Sequence, residues 1–433
     1  MKIFKMICLM AFGLNVFGQT PISLEDAIKE AIKNNLDIAI ERNEYVLTGI
    51  NNSWSNAGAY PTIQADLTPT ISSSNLNQKL ASGLDINRNG VVAKNLNAEV
   101  HANWNVLNGF KLYTTKKRLE QLEQIGELNL IQQINNLSYE VALTYAAAQQ
   151  LIQQQKNIEE QISITQERID INQKKVEVGA SGKSDLLQAQ IDKNSLISAR
   201  EALAGQYTNT LISLGLLMGR SPGDYPAVKE TMSLPVTEPL DAVIQLALKQ
   251  NPTILATNKQ IAVTALTQKE TKAVRLPNVN VRTGYGYNRS QSTGGFSLFN
   301  QSYGPTASLG ISVPIYSGGR VKSVLDQLDI QMKNQQLNYN LLILEYKTMI
   351  TQAYNDVKMA EARILLVKDN IKLAKENLEI SQGRAKYQSI TALELRQAQY
   401  SLMELQTELI NNTFLARAAK LKLTMLSGGS NWQ

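Results

Sequence analysis

Two carboxylates stand at matching places in this 433-residue chain: Asp185, in SGKSDLLQAQ, and Glu394, in SITALELRQAQ. Thr391-x-x-Glu394 has the form of a capping box, in which each side chain satisfies a free backbone N–H at a helix start. Lysines and arginines lie close by at Lys183, Lys386 and Arg396. Other groups that could do chemistry fail on context. Gly182-Lys183-Ser184 could end a phosphate-binding loop, but Glu177 stands where the first glycine is needed. His101 is the only histidine, so neither a histidine-based triad nor a histidine-rich metal site can be built. Gly284-Tyr285-Gly286 interrupts a strand and no helix follows it, unlike a dinucleotide fingerprint. The methionines are scattered, which leaves a copper relay unsupported. No catalytic residue, metal ligand or cofactor is expected.

The start of the chain indicates a compartment. Lys2 and Lys5 precede an apolar run from Ile7 to Val16, and Val16 and Gly18 suit a cleavage site. Residues 1–18 therefore read as a secretory signal with Gln19 as the mature start. Cys8, the single cysteine, falls inside it, away from the cleavage point, so thiolate chemistry and a lipid anchor are not expected. The net charge is +6, with lysines and arginines scattered among glutamates, a pattern of solvated faces and not of nucleic-acid binding.

An internal repeat organises the rest. LEDAIKEAIKNNLDIA at 24–39 matches LDAVIQLALKQNPTIL at 240–255, a shift of 216 that pairs Asn35 with Asn251 and Pro61 with Pro277. Later the shift is 209: Asn108-Gly109 meets Ser317-Gly318, Tyr145 meets Tyr354, SDLLQAQ meets LELRQAQ, and Leu217 meets Leu426. Residues 19–220 and 239–428 are thus two copies of one unit. The linker at 221–238 carries Pro222, Pro226 and Pro235, and a short tail follows at 429–433.

Each copy reads helix, strand, loop, strand, long helix, turn, helix. From 95 to 106 the residues alternate without error: Leu96, Ala98, Val100, Ala102, Trp104 and Val106 oppose Asn95, Asn97, Glu99, His101, Asn103 and Asn105. Strands are expected at about 62–71, 95–107, 278–289 and 303–315, with loops at about 72–94 and 290–302. From Phe110 to Val178 no proline intervenes, and Leu137, Val141, Tyr145, Ala148 and Ile152 recur at steps of three and four. Ile350, Ala353, Val357, Ala360 and Ile364 repeat the pattern. A helix of that length extends roughly 100 Å at ~1.5 Å per residue. The hairpin tips are placed at about 178–184 and 387–393.

The mature chain has no apolar run long enough for a membrane helix, about 18 residues. Strands of about ten residues with one apolar and one polar face suit a membrane β-barrel. Four strands cannot close, and an open edge in lipid costs several kcal/mol per unsatisfied group. Several chains must share one barrel, and strand arithmetic allows two or three. Glu99, His101, Asn103 and Arg282 are the candidate lumen residues.

The doubled helix–strand–strand–helix order resembles the TolC-like outer-membrane factor family. So do NxxI after the first helix, proline before the first strand, Gly318-Gly319-Arg320 after the last, and VGASGKSDLLQAQ at 178–190. The resemblance implies a mainly α fold with a small β part. Three chains would form an α-barrel of long helical hairpins and share a 12-stranded transmembrane β-barrel in outer-membrane lipid. It implies the passive exit duct of a tripartite efflux pump or type I secretion system, served by a periplasmic adaptor and an inner-membrane transporter. In that setting Asp185, Glu394, Lys183, Lys386 and Arg396 are candidates for the tunnel-entrance gate. Val178, Gly179, Ala180, Ser181, Tyr387, Gln388 and Ser389 are candidates for adaptor contact. Gln388 stands where the first tip has Gly179, and Arg396 where the first copy has Leu187. The alternative function is a periplasmic coiled-coil structural or adaptor protein.

Overall fold

The computed structural model describes residues 21–179, 182–230, 238–387 and 389–429. The expected signal, Ala180, Ser181, Gln388 and part of the linker lie outside the described residues. The elements run α1 Leu24–Asn34, α2 Leu36–Asn51, β1 Thr62–Lys79, β2 Asp85–Asn108, α3 Lys111–Glu177 and α4 Lys183–Leu217. The order then recurs as α5 Leu240–Gln250, α6 Pro252–Ala273, β3 Asn278–Ser292, β4 Phe299–Ser312, α7 Arg320–Lys386 and α8 Ala392–Leu426.

Two expectations need correction. The single first helix of each copy is a pair, broken at Asn35 and Asn251. The Asn35 side-chain oxygen accepts from the N–H groups of Asp37 and Ile38 at 2.9 and 3.3 Å, so it starts α2 while its own N–H closes α1 on Ala31. Its amide also donates to the Leu217 carbonyl at 3.0 Å, at the end of α4. Asn251 does the same to Leu426 at 3.0 Å, at the end of α8. Two residues of the repeat thus make one repeated bond. The glycines that follow, Gly219 and Gly428, have φ of +72° and +113°. A side chain on Gly219 would run into the Asn34 carbonyl.

The second correction concerns the loops expected at 72–94 and 290–302. β1 and β2 continue as a paired hairpin to Lys79 and Asp85, and only residues 293–298 separate β3 from β4. Both faces of 72–94 are rich in Ser, Asn and Lys, so apolar alternation could not reveal this extension.

The chain divides into two compact units that each combine both copies of the repeat. One, Glu41–Ile131 with Pro252–Leu344, holds the antiparallel sheet in the order β1-β2-β3-β4. The other runs to Ile40 and comprises Gln132–Asn251 and the chain from Glu345. In this helical unit Val243 and Ala247 of α5 pack with Ile350, Ala353 and Val357 of α7 and with Ala419, Leu423 and Leu426 of α8. Leu137, Val141, Tyr145 and Ala148 bury the equivalent stripe of α3.

Further along α3 the buried stripe turns polar: Asn157, Gln161, Thr165, Arg168 and Asn172 keep the same steps of three and four. Asn157 donates to Thr407 at 3.1 Å and Gln161 to Gln406 at 3.0 Å, both on α8. Hydrogen bonds across this seam offset the desolvation of its amides.

Candidate functional site

The sheet's register sorts its two faces. Paired residues point to the same side, so one face carries the rows Leu107–Val279–Ile311, Trp104–Val281–Leu309, Ile63–Ala102–Thr283–Ala307, Ala65–Val100–Tyr285–Pro305 and Leu67–Ala98–Tyr287–Tyr303. These apolar side chains are exposed: Ile63 is 77%, Leu67 68%, Val100 53% and Leu309 65% accessible. Five rows span ~27 Å along the strands, or roughly 20 Å at a tilt of ~40° before side-chain reach is added. That approaches the ~25 Å apolar band of an outer-membrane barrel. Tyr287 with Tyr303 marks one edge, as an aromatic girdle does, and Trp104 stands one row inside the other edge.

Alongside these five rows the opposite face is polar. Gln64–His101–Gly284–Thr306, Asp66–Glu99–Gly286–Gly304 and Thr62–Asn103–Arg282–Ser308 are its central rows. Arg282 donates to Glu99 at 3.0 Å. His101, only 4% exposed, brings Nδ1 to 3.4 Å from an Asp66 carboxylate oxygen. Gly284 lies directly opposite His101, and a Cβ there would come 2.9 Å from the histidine's own Cβ. Gly284 therefore makes room for His101 on the polar face, while Tyr285 points to the apolar one. All four lumen candidates share this polar face.

The hairpin ends form the second candidate region. Asp192 of α4, 6% exposed, accepts from Arg168 of α3 at 2.5 Å and from Arg396 of α8 at 2.9 Å. Gln188 adds a bond at 3.0 Å, and the Arg396 guanidinium lies 5.2 Å from the centre of the Tyr400 ring. One buried carboxylate thus ties three helices from both copies.

The expected gate residues are arranged differently from one another. Glu394 completes the capping box: its carboxylate accepts from the Thr391 N–H at 2.8 Å and from the Thr391 hydroxyl at 3.1 Å. Those bonds, the backbone one foremost, hold the Glu394 carboxyl below its ordinary pKa. Asp185 lies in the first turn of α4, and its carbonyl accepts from Asn172 at 3.1 Å. Arg396 lines one pocket with Asp185 and forms its ion pair with Asp192. Lys183 opens α4. Lys386 closes α7, and its side chain is outside the described residues. At the tips Val178 is 76% and Tyr387 84% exposed; Gly179 has φ +73°, and the Ser389 carbonyl accepts from Arg384 at 3.1 Å.

Among the described residues no helix is long and apolar enough to cross a membrane, and no group of three or more His, Cys, Asp or Glu could hold a metal ion. The model of the family described as outer membrane efflux protein matches residues 27–220 and 243–429. The chain belongs to this family. It is an outer-membrane protein, and the face of exposed apolar rows is the part suited to lipid.

The outer membrane efflux protein BepC of Brucella suis biovar 1 (strain 1330) is 22% identical over 402 residues, covering 92% of this chain and 84% of BepC. The fold is that of CusC, with a TM-score of 0.78 at 19% identity over 95% of this chain and 93% of CusC. It is also that of VceC from Vibrio cholerae, with a TM-score of 0.73 at 17% identity over 94% and 96% of the two chains. The mainly helical architecture with one four-stranded antiparallel sheet is the expected fold class.

The residues that sequence reasoning missed are Asp192 and Arg168. Arg168 keeps the period of the α3 stripe at Thr165 and Asn172, but a solvated polar face has that period too. Asp192 follows Gln188 by one helical turn, and nothing else near it in sequence sets it apart.

Proposed function

We propose that three copies of this chain form a passive exit duct, with a shared twelve-stranded barrel in the outer membrane and helical hairpins in the periplasm. The observation that carries the reading is the sheet: among the described residues it has four strands, an apolar face without cover, and two edge strands, β1 and β4, without partners. An edge open to lipid is too costly to persist, and other copies of the same chain supply the missing strands. Exposed Leu337, Leu341 and Leu344 on α7 and Val46, Leu47 and Ile50 on α2 offer further apolar surface to neighbouring protomers. The duct needs no chemistry of its own and no cofactor. Energy would come from an inner-membrane transporter, and a periplasmic adaptor would dock on the tips, where Val178 and Tyr387 present exposed apolar side chains.

The closed tip is read as held by Asp192 between Arg168 and Arg396, with Asp185 and Glu394 at the helix starts beside it. A gate shifts only by the difference in free energy between its states. A carboxylate shared by two arginines from two hairpins supplies such a difference if opening separates the hairpins. Native mass spectrometry of detergent-extracted membranes tests the assembly: complexes of three chains are expected. Monomers soluble without detergent would favour the periplasmic adaptor alternative.

A further inference from the structure

Beyond the five apolar rows, the outward face of the sheet changes character within one step. The next rows are Pro69–Leu96–Arg289–Gln301 and Ile71–Lys94–Gln291–Phe299. Arg289 and Lys94 are diagonal neighbours on adjacent strands, which places their Cα atoms roughly 7–8 Å apart. Both are exposed. Gln301 stands directly beside Arg289 and Gln291 directly beside Lys94. The Arg289 guanidinium lies 5.6 Å from the centre of the Phe299 ring, which steadies it above the strand. No aspartate or glutamate occurs on any of these seven rows. Among the described residues no ion pair involves Lys94 or Arg289.

Position gives this patch its meaning. The strand ends at Thr62, Asn108, Asn278 and Ser312 lead from or into helices α2, α3, α6 and α7. The patch is at the other end of the apolar band, toward the hairpin turns. In the proposed orientation, with the helices in the periplasm, these two cations and two amides face outward at headgroup depth, next to Tyr287, Tyr303 and Leu67 on the hydrocarbon side.

We propose that Lys94, Arg289, Gln291 and Gln301 form a binding site for the phosphate groups of an outer-leaflet glycolipid, the lipid A type, whose acyl chains lie along the Leu67–Tyr287–Tyr303 row. Arginine suits this task because its planar fork meets phosphate oxygens in pairs, and lysine adds a point charge. Beside a lipid surface such cations hold anionic headgroups that they would not hold from dilute solution. The proposal rests on the apolar face being the lipid face.

Assembled complexes in mild detergent provide the test, with native mass spectrometry counting bound lipid. Bis-phosphorylated lipid A, dephosphorylated lipid A and inorganic phosphate are the probes. The parent should retain and rebind the bis-phosphorylated form, and Lys94→Gln with Arg289→Gln should weaken that binding about tenfold or more. The exchange Lys94→Arg with Arg289→Lys keeps both charges and should restore most of it. It also serves as the comparison if the neutral variant assembles poorly. Equal binding of both lipid forms by the parent, or no loss in the neutral variant, would overturn the site. Displacement of lipid by millimolar phosphate would overturn it too, as the mark of a soluble-anion site. Absence of any lipid binding by parent and variants alike would instead count against the face assignment.

Discussion

Arg396 of the second copy donates to Asp192 of the first at 2.9 Å, and this pair, 204 residues apart in sequence, joins two hairpins. Arg168 shares the same carboxylate, and at 5% exposure it has little water to fall back on. Removing one partner of a buried pair typically costs about 3–5 kcal/mol, because the other charge stays buried. Asp192→Asn is therefore expected to loosen the tip: single-channel conductance rises while the number of chains per complex stays the same. A conductance equal to the parent's would remove Asp192 from the gate.

Glu394 and Asp185 test a different part of the same tip. Glu394→Gln can still accept the Thr391 bonds, so helix α8 should start normally. With Asp185→Asn the change removes two carboxylates per chain, and block by divalent cations from the periplasmic side should weaken. Unchanged block in assembled double variants would leave Glu394 as a cap and nothing more.

The two faces of β2 make opposite predictions. Val100→Arg puts a charge within the apolar band and should cost roughly 2–4 kcal/mol near mid-membrane, seen as less assembled protein. Asn97→Arg lies on the polar face between Thr68 and Asn288, with no cation opposite, and should assemble as the parent does. Equal losses for the two would contradict the face assignment.

Acid should loosen the helical unit at a definite place. Glu361 of α7 meets Lys420 of α8 at 3.0 Å and Lys358 at 3.4 Å. The Lys420 bond foremost, and the Lys358 charge with it, hold the Glu361 carboxyl below its ordinary value against an opposing effect of burial. A depressed folded pKa adds stability that is complete above the unfolded value, ~4.3 for a glutamate. That contribution is lost as pH falls through the lower, folded value. Melting temperatures of parent and Glu361→Gln should differ at neutral pH and converge in strong acid. Curves that run parallel from neutral to acid would show that the pair adds no pH-dependent stability.

Much of this was legible in residues alone, for reasons that differ by region. Val100 and His101 declare opposite faces because a strand repeats every two residues and the two sides meet lipid and water. Asn35 and Asn251 stand out as a matched pair, yet their bonds to the ends of α4 and α8 need the fold. The α3 stripe at Asn157, Gln161 and Thr165 was invisible as a core because buried amides and solvated ones have the same helical period. Asp192 was missed for a related reason: a lone aspartate acquires its role only when Arg168 and Arg396 arrive from two other helices.

Copies of this chain are proposed to close one barrel and conduct passively. Planar-bilayer recording of the purified outer-membrane complex, with its mass measured in the same preparation, tests that claim most directly. Complexes of three chains are expected to give discrete conductance steps without nucleotide or any other energy source, and the steps should grow when Asp192 is replaced by asparagine. Complexes of another size, or a trimer that never conducts in either form, would contradict it.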